Sequence, residues 1–300
     1  MSQSSSPSSS PVYRRSSGHF IRHLIVIVVA LAAIVIVINV VHRSASTLPS
    51  GNLKAQTTWQ ATSPSTLGAL TKIPPSVFNT VGVNSPSTPV TAMASLGGQP
   101  PLTAVSSTGK RLPEVLYIGA NYCPFCAAER WPTIIALSRF GTFTGLGNTT
   151  SGATDLYHNT QTFTFERAHY TSKYVAFDPV ELYGNVLDKS GRYPKLETPT
   201  PLEAAIFREY DANTGYSIPF MSFGNRFFQE GANYSPASLA GLTRNQIASN
   251  LGNPGDAVTQ AIIASANYET AAICSLTKGQ PGTVCNSKGV EAAAKKLGTK

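Results

Sequence analysis

Two cysteines with two residues between them form the segment best suited to chemistry, Cys123-Pro124-Phe125-Cys126. An apolar run rich in strand-forming residues, 114–120, precedes this CPFC motif, and residues of helical composition and spacing follow it. The pattern places Cys123 at the N-terminus of a helix, where free N–H groups and the helix dipole stabilise a thiolate. Cys126 lies one helical turn further on, within reach of a disulfide bond. The predicted chemistry is thiol–disulfide exchange, with Cys123 as the attacking thiol and Cys126 as the resolving thiol.

Two other interpretations of the CPFC motif stay open, half of a zinc site and a static structural disulfide. A zinc site needs a second closely spaced pair of ligands. Cys274 and Cys285 have ten residues between them, and the histidines that follow the motif, His158 and His169, are not spaced like ligands. We therefore predict no metal and no cofactor.

A second disulfide is predicted between Cys274 and Cys285, because disulfides persist in exported domains and residues 278–282 form a turn that brings the chain back. A structural role is expected for this bond. The alternative is a relay pair that exchanges electrons with Cys123 and Cys126.

An apolar run of eighteen residues, 24–41, predicts a membrane anchor. As a helix it would be about 27 Å long, close to the thickness of the bilayer core. Three arginines precede the run and only Arg43 follows it closely, so the N-terminus is predicted in the cytoplasm and the C-terminal body outside. A cleaved signal peptide ending near residues 44–46 is the competing interpretation.

The charge of the chain is concentrated near its N-terminus. The 300 residues carry a formal net charge of +8, and eight basic residues precede the first acidic residue, Glu114. From Glu114 onward, 15 basic residues balance 15 acidic ones. A neutral body has no electrostatic footprint for phosphate backbones, so no nucleic-acid partner is predicted.

Composition divides the chain into five predicted parts. They are a disordered, serine-rich cytoplasmic tail (1–20), the transmembrane anchor (21–43), an extracytoplasmic linker (44–97), a folded domain (98–290) and a C-terminal tail (291–300). Around Val77 and Phe78, a small strand or helix packed on the domain is also compatible with the sequence.

Several separated blocks resemble a known family. Ile218-Pro219 begins an apolar strand, and together with the strand, CPFC motif and helix this resembles the thioredoxin superfamily. The blocks YIGANYCPFCAAERW, FERAHYTSKYVAFDPVE and SIPFMSFGNRFF resemble a membrane-anchored, thioredoxin-like family known as domain of unknown function 929. The resemblance implies an α/β, thioredoxin-like fold with a central mixed sheet flanked by helices. It also implies that Pro219 is cis and that the backbone beside Ile218 pairs with a substrate chain.

The sequence departs from common thioredoxins at two points. Between Cys126 and Pro219 lie 92 residues, which predicts an insertion between the CPFC helix and the proline-initiated strand. The position six residues before the first cysteine, which commonly holds a buried carboxylate, is Tyr117. Glu129, Arg130 and Tyr122 are the candidates for proton transfer to Cys126, although solvation of an exposed helix face is the expected role of the two charged residues.

These observations predict a membrane-anchored, extracytoplasmic thiol–disulfide oxidoreductase that acts on exported proteins. Its expected partners are substrates with thiols or disulfides, a membrane-bound or soluble redox partner, and the lipid bilayer through residues 21–43. A non-catalytic binding module with an inert CPFC disulfide is the alternative from another functional class, and a metal chaperone is a further one.

Overall fold

The structure, a computed structural model, describes residues 53–95, 97–106, 109–211 and 215–299. The predicted tail and anchor, 1–20 and 21–43, lie outside the described residues. Within the described ranges, no helix has the length and apolar character needed to cross a membrane.

Eleven short strands form three sheets in the described part of the chain. They are β1 (Gln60–Ala61), β2 (Ala94–Ser95), β3 (Thr103–Val105), β4 (Arg111–Gly119), β5 (Gly141–Thr144), β6 (Gly147–Thr150), β7 (Gln161–Thr164), β8 (His169–Ser172), β9 (Ala176–Glu181), β10 (Phe220–Phe223) and β11 (Phe227–Glu230).

Helices lie before, between and after these strands. They are α1 (Pro64–Thr71), α2 (Pro75–Val81), α3 (Pro124–Ser138), α4 (Pro201–Asp211), α5 (Arg244–Asn250), α6 (Ala257–Leu276), α7 (Gly282–Cys285) and α8 (Lys288–Lys296), with a 3₁₀ helix at Pro236–Leu239. The described chain is therefore a mixed α/β structure, as predicted at this level.

Strand β4 lies inside the largest sheet and directs the chain to the CPFC motif. It pairs antiparallel with β10 and β3 and parallel with β9, while β11 and β2 extend the sheet beyond β10. Residues 115–118 are fully buried, as expected for a strand covered on both faces. The parallel pair requires a crossover between β4 and β9, and α3 lies within it.

Helix α3 is buried along most of its length and packs against both α6 and β7. Trp131 packs edge-on to Phe163 with ring centroids 4.7 Å apart, and its indole N–H donates to the carbonyl of Gln161 at 3.1 Å. The Thr162 hydroxyl donates to the carbonyl of Ala127 at 2.7 Å. These contacts fix the position of the helix that carries the CPFC motif.

The described part of the predicted linker, 44–97, belongs to the folded body instead of forming a tether, and around Val77 and Phe78 it forms the small packed helix that the sequence also allowed. Val77, Phe78 and Val81 of α2 are buried in the main hydrophobic cluster. The side-chain amide of Asn267 in α6 donates to the carbonyls of Phe78 at 3.0 Å and Gly82 at 2.8 Å. The proline-rich composition suggested a linker, but prolines begin both α1 and α2, a position where proline suits a helix.

Two further segments differ from what their composition indicates. The predicted tail, 291–300, contains most of α8, and Val290, Ala293 and Leu297 are buried at the spacing of one helix face. Residues 141–160 read as a loop because they are rich in Gly, Thr and Asn, yet they contain β5 and β6. These strands pair with β8, β7 and β1, which all lie outside the segment, so pairing with other parts of the chain stabilises them.

The second pair of cysteines forms a disulfide in the structure, between Cys274 near the end of α6 and Cys285 at the end of α7. The two Cα atoms are 5.6 Å apart. The Thr277 hydroxyl donates to the carbonyl of Gln280 in the turn between them, at 2.6 Å. The predicted pairing is therefore present.

Removing this disulfide should lower the stability of the folded state. In the chain-entropy model, closing so short a loop contributes roughly 2–3 kcal/mol. We expect the variant Cys274→Ala/Cys285→Ala to lose about this much in its free energy of unfolding, measured by urea titration. An unchanged free energy of unfolding would contradict the chain-entropy model for this bond, in which the disulfide stabilises the fold by restricting the unfolded chain.

Candidate active site

The CPFC motif occupies the junction between β4 and α3. Cys123 has extended backbone angles (φ −74°, ψ 123°) and caps the helix, and Pro124 is the first helical residue. The backbone N–H of Cys126 donates to the Cys123 sulfur at 3.2 Å. The first N–H groups of a helix have no acceptor within the helix, and a proline at the first position removes one of them. The Cys123 sulfur accepts one of those that remain.

The loop before β10 completes the site. The Cys123 thiol donates to the carbonyl of Ile218 at 3.4 Å, across 95 residues of sequence. The peptide bond between Ile218 and Pro219 is cis, as the family resemblance implies. The structure therefore brings together the four residues predicted at the site: Cys123, Cys126, Ile218 and Pro219.

Both cysteines of the motif are free thiols, and the two differ in acidity. The side-chain hydrogen bond with Cys126 lowers the pKa of Cys123, and backbone N–H groups and the charge of Arg130 add to this effect against the opposing effect of burial. Burial raises the pKa of Cys126 well above its usual range, and its hydrogen bond with Cys123 raises it further. Cys123 is 5% exposed and Cys126 is fully buried. The arrangement favours a thiolate on Cys123 beside a protonated Cys126.

A buried ion pair lies next to the two thiols. The guanidinium of Arg130 donates to both carboxylate oxygens of Glu181 on β9, with Nε–Oε1 at 3.0 Å and Nη2–Oε2 at 2.6 Å. Nη2 also lies 3.4 Å from the side-chain oxygen of Asn121. The prediction that Arg130 solvates an exposed helix face is therefore wrong, because both partners of the pair are fully buried.

Glu129 is also fully buried, so the prediction that it solvates an exposed helix face is wrong. Its side chain faces Glu269 of α6. Its Oε2 accepts the backbone N–H of Asn233 at 2.9 Å. Burial raises the pKa of Glu129 to about 7, and burial together with the nearby Glu129 raises that of Glu269 well above its usual range.

A shared proton explains how two carboxyl groups face each other in the core. Burial is the largest cause that raises both pKa values, and the hydrogen bonds from the Gln229 and Thr133 side chains offset it only in part. A proton on either group supplies the hydrogen bond between them. The signal in the sequence was Glu269 as the one charged residue of the segment that forms α6, but nothing there identified Glu129 as its partner.

Two tyrosines from the segment between α3 and β10 pack against aromatic side chains in and next to the motif. Phe125, 44% exposed, makes an edge-to-face contact with Tyr157 at a centroid distance of 6.3 Å. Tyr122 stacks on Tyr193 at 4.4 Å. The backbone N–H of Gly152 donates to the Tyr122 carbonyl at 2.7 Å and holds this segment against the motif. Tyr122 is thus part of an aromatic stack, and burial raises its pKa.

The described residues contain no cluster of three or more His, Cys, Asp or Glu side chains arranged to hold a metal ion.

Comparison with protein families identifies the chain. Residues 103–275, more than half of its length, match the family described as a domain of unknown function, DUF929. The chain therefore belongs to the DUF929 family, which confirms the predicted membership. Comparisons with curated proteins and with solved structures gave no match.

The Glu129–Glu269 pair should make stability depend on pH. A carboxyl group whose folded-state pKa is raised stabilises the fold below its unfolded pKa, and that contribution is lost as pH rises through the folded value. For Glu129 this window runs from its ordinary value of 4.5 to about 7. A shift of this size corresponds to an effect on the order of 3 kcal/mol.

We expect the free energy of unfolding to fall between pH 5 and pH 8, and Glu129→Gln to make this dependence shallower. Urea titrations across the pH range measure both slopes. Glu291→Gln, at an exposed position of α8, is the matched control and should leave the slope unchanged. Equal slopes in the Glu129→Gln variant and the native chain would contradict the shared proton.

Proposed function

We propose that this chain is a thiol–disulfide oxidoreductase with a thioredoxin-like fold that acts on the disulfides of exported proteins. The observation that carries the proposal is the placement of Cys123. Its sulfur caps a buried helix, faces the carbonyl of Ile218 at 3.4 Å and has a lowered pKa, while Cys126 is buried one turn behind it. An acidic thiol beside a protonated second thiol is the arrangement that exchange chemistry requires.

The order and direction of the central elements support the proposed fold. Strand β4 leads through the CPFC motif into α3, and the chain returns in β9, which is parallel to β4. The hairpin of β10 and β11 follows, with β10 antiparallel to β4, and α6 comes after it. This is the arrangement that the resemblance to thioredoxins implies, with the strands β5–β8 as the predicted insertion.

The proposed reaction proceeds in two exchange steps. The Cys123 thiolate attacks one sulfur of a substrate disulfide, and the other substrate sulfur leaves as a thiolate that takes up a proton. Cys126 then attacks the Cys123 sulfur, and its proton passes to the departing substrate sulfur, which is released as the second substrate thiol. The substrate gains two electrons and the motif becomes a disulfide. A dithiol partner restores the reduced motif, and the reverse sequence oxidises a substrate dithiol.

The substrate chain is proposed to lie beside Ile218 and Pro219, with its sulfur directed at Cys123. Ile218 is only partly buried, and its carbonyl lies next to the Cys123 thiol. Phe125 and Tyr157 supply apolar contact area on one side of the motif. The membrane anchor over 21–43 and the extracytoplasmic position of the body are part of the same proposal, because disulfide exchange suits an oxidising compartment.

The reduction potential of the Cys123–Cys126 pair tests the proposal. The full chain, purified in detergent, is equilibrated with glutathione buffers, and the oxidised fraction of the peptide that contains both cysteines is read by differential alkylation. We expect a reversible couple between about −120 and −270 mV. A potential below about −300 mV, or no reversible reduction, would contradict exchange and favour a binding module with a structural disulfide.

Trapping the intermediate distinguishes the two thiols. Cys126→Ser should accumulate a mixed disulfide with a cysteine-containing peptide substrate, because Cys123 still attacks and no resolving thiol is present. Cys123→Ser is the matched control and should form little or none, since Cys126 is buried and its pKa is raised. Gel electrophoresis without reductant measures both, and equal adduct formation in the two variants would contradict the assigned roles.

A further inference from the structure

Burial of the ion pair between Arg130 and Glu181 has a desolvation cost that the attraction between the two charges need not compensate. Both side chains are fully removed from solvent. Removing two charges from water costs several kcal/mol each, and an apolar pair of similar volume is often as stable. One amino group of Arg130, Nη1, is buried with no hydrogen-bond partner among the described residues. The pair is therefore difficult to explain by stability alone.

The position of the pair relates it to the two thiols. Arg130 is four residues after Cys126 on α3, which places both on the same face of the helix. Its guanidinium also lies 5.7 Å from the ring of Tyr117, which occupies the place of the buried carboxylate common in thioredoxins. The positive charge of Arg130 is close enough to interact with both thiols of the motif.

Other contacts hold the pair rigidly. Glu181 Oε1 accepts the backbone N–H of Phe165 at 3.1 Å in addition to its bond with Arg130. The backbone N–H of Glu181 donates to a carboxylate oxygen of Glu197 at 2.6 Å. Because Glu181 is fixed on both its side chain and its backbone, the guanidinium has a defined orientation, and its charge acts from a constant position.

We propose that Arg130 and Glu181 set the reduction potential of the Cys123–Cys126 pair, with Arg130 favouring the dithiol form and Glu181 moderating that effect. This inference rests on the proposed exchange function and extends it to the control of the potential. A cation stabilises a thiolate but has little effect on a neutral disulfide, so Arg130 makes the motif a stronger oxidant. Both are positioning residues, which act on the dithiol through charge.

The acidities of the thiols support this assignment. The hydrogen bond with Cys126 is the largest cause of the lowered pKa of Cys123, and the charge of Arg130 lowers it further. For Cys126 burial dominates and raises the pKa, while Arg130 opposes the increase. Burial alone would lower the pKa of Arg130 itself, but Glu181, Tyr117 and Cys126 together more than offset this, so the guanidinium stays charged.

Substitution of Arg130 and substitution of Glu181 should shift the equilibrium constant for reduction of the motif in opposite directions. Two residues with only a structural role would not produce opposite shifts. Arg130→Met removes the cation, so the equilibrium constant for reduction of the motif by glutathione should fall by about tenfold. Glu181→Gln leaves the cation without its counter-charge, so the same constant should rise several-fold. Arg130→Lys keeps the charge and should remain within about threefold of the native value.

The experiment uses the full chain in detergent and the same peptide-resolved redox titration, with the alkylation rate of Cys123 against pH as a second readout. The double variant Arg130→Met/Glu181→Met is measured beside the single ones, because an apolar pair avoids leaving an unpaired buried charge. It should shift the constant in the direction of Arg130→Met.

Shifts of the same sign in the Arg130→Met and Glu181→Gln variants, or a native-like constant in the double variant, would overturn the inference. The proposed function fails in a different way, which is the absence of a reversible couple in the native chain. A reversible native couple without opposite shifts therefore rejects only the role of the ion pair.

Discussion

The first N–H groups of α3 have no acceptors within the helix, and the helix is buried along most of its length, so these groups need partners from the protein. The Cys123 sulfur is one such partner, since it accepts the N–H of Cys126. The same sulfur reaches the carbonyl of Ile218 in the loop before β10. Helix capping and thiol chemistry therefore depend on one atom, and the packing of α3 against β7 and α6 keeps that atom in place.

Helix α3 also carries charged groups into the interior in two directions. Arg130 points toward β9 and pairs with Glu181, whereas Glu129 points toward α6 and shares a proton with Glu269. Arg130 and Glu181 both stay charged because their opposite charges compensate each other. Glu129 and Glu269 do not both ionise, because two like charges are unfavourable when buried side by side. The dithiol therefore has a fixed positive charge nearby, and the carboxyl pair, which keeps one proton between its two groups, lies on the side of the helix that faces α6.

The sequence predicted the parts of the site that depend on local pattern. The apolar run before the CPFC motif and the helical spacing after it indicated β4, α3 and the position of Cys123 at their junction. That Ile218 and Pro219 meet Cys123 came from the family resemblance, because no local pattern joins residues 95 positions apart.

The errors also have physical causes. Adjacent charged residues usually indicate an exposed helix face, but the partners that allow Arg130 and Glu129 to be buried lie far along the chain, in β9 and α6. The segment before residue 98 reads as a linker because prolines are common in it, yet its apolar residues pack on α6 and α8 and its prolines begin helices. Burial of this kind depends on tertiary partners that composition does not reveal.

The acidity of Cys123 is the property on which the proposed exchange function depends most directly. The pH dependence of its alkylation in the full-length Cys126→Ser variant measures it, since the serine hydroxyl retains a hydrogen-bond donor and leaves one reactive thiol in the motif. The geometry predicts a pKa clearly below the value of about 8.5 for a free thiol. A pKa at or above that value would contradict the assignment of Cys123 as the attacking group.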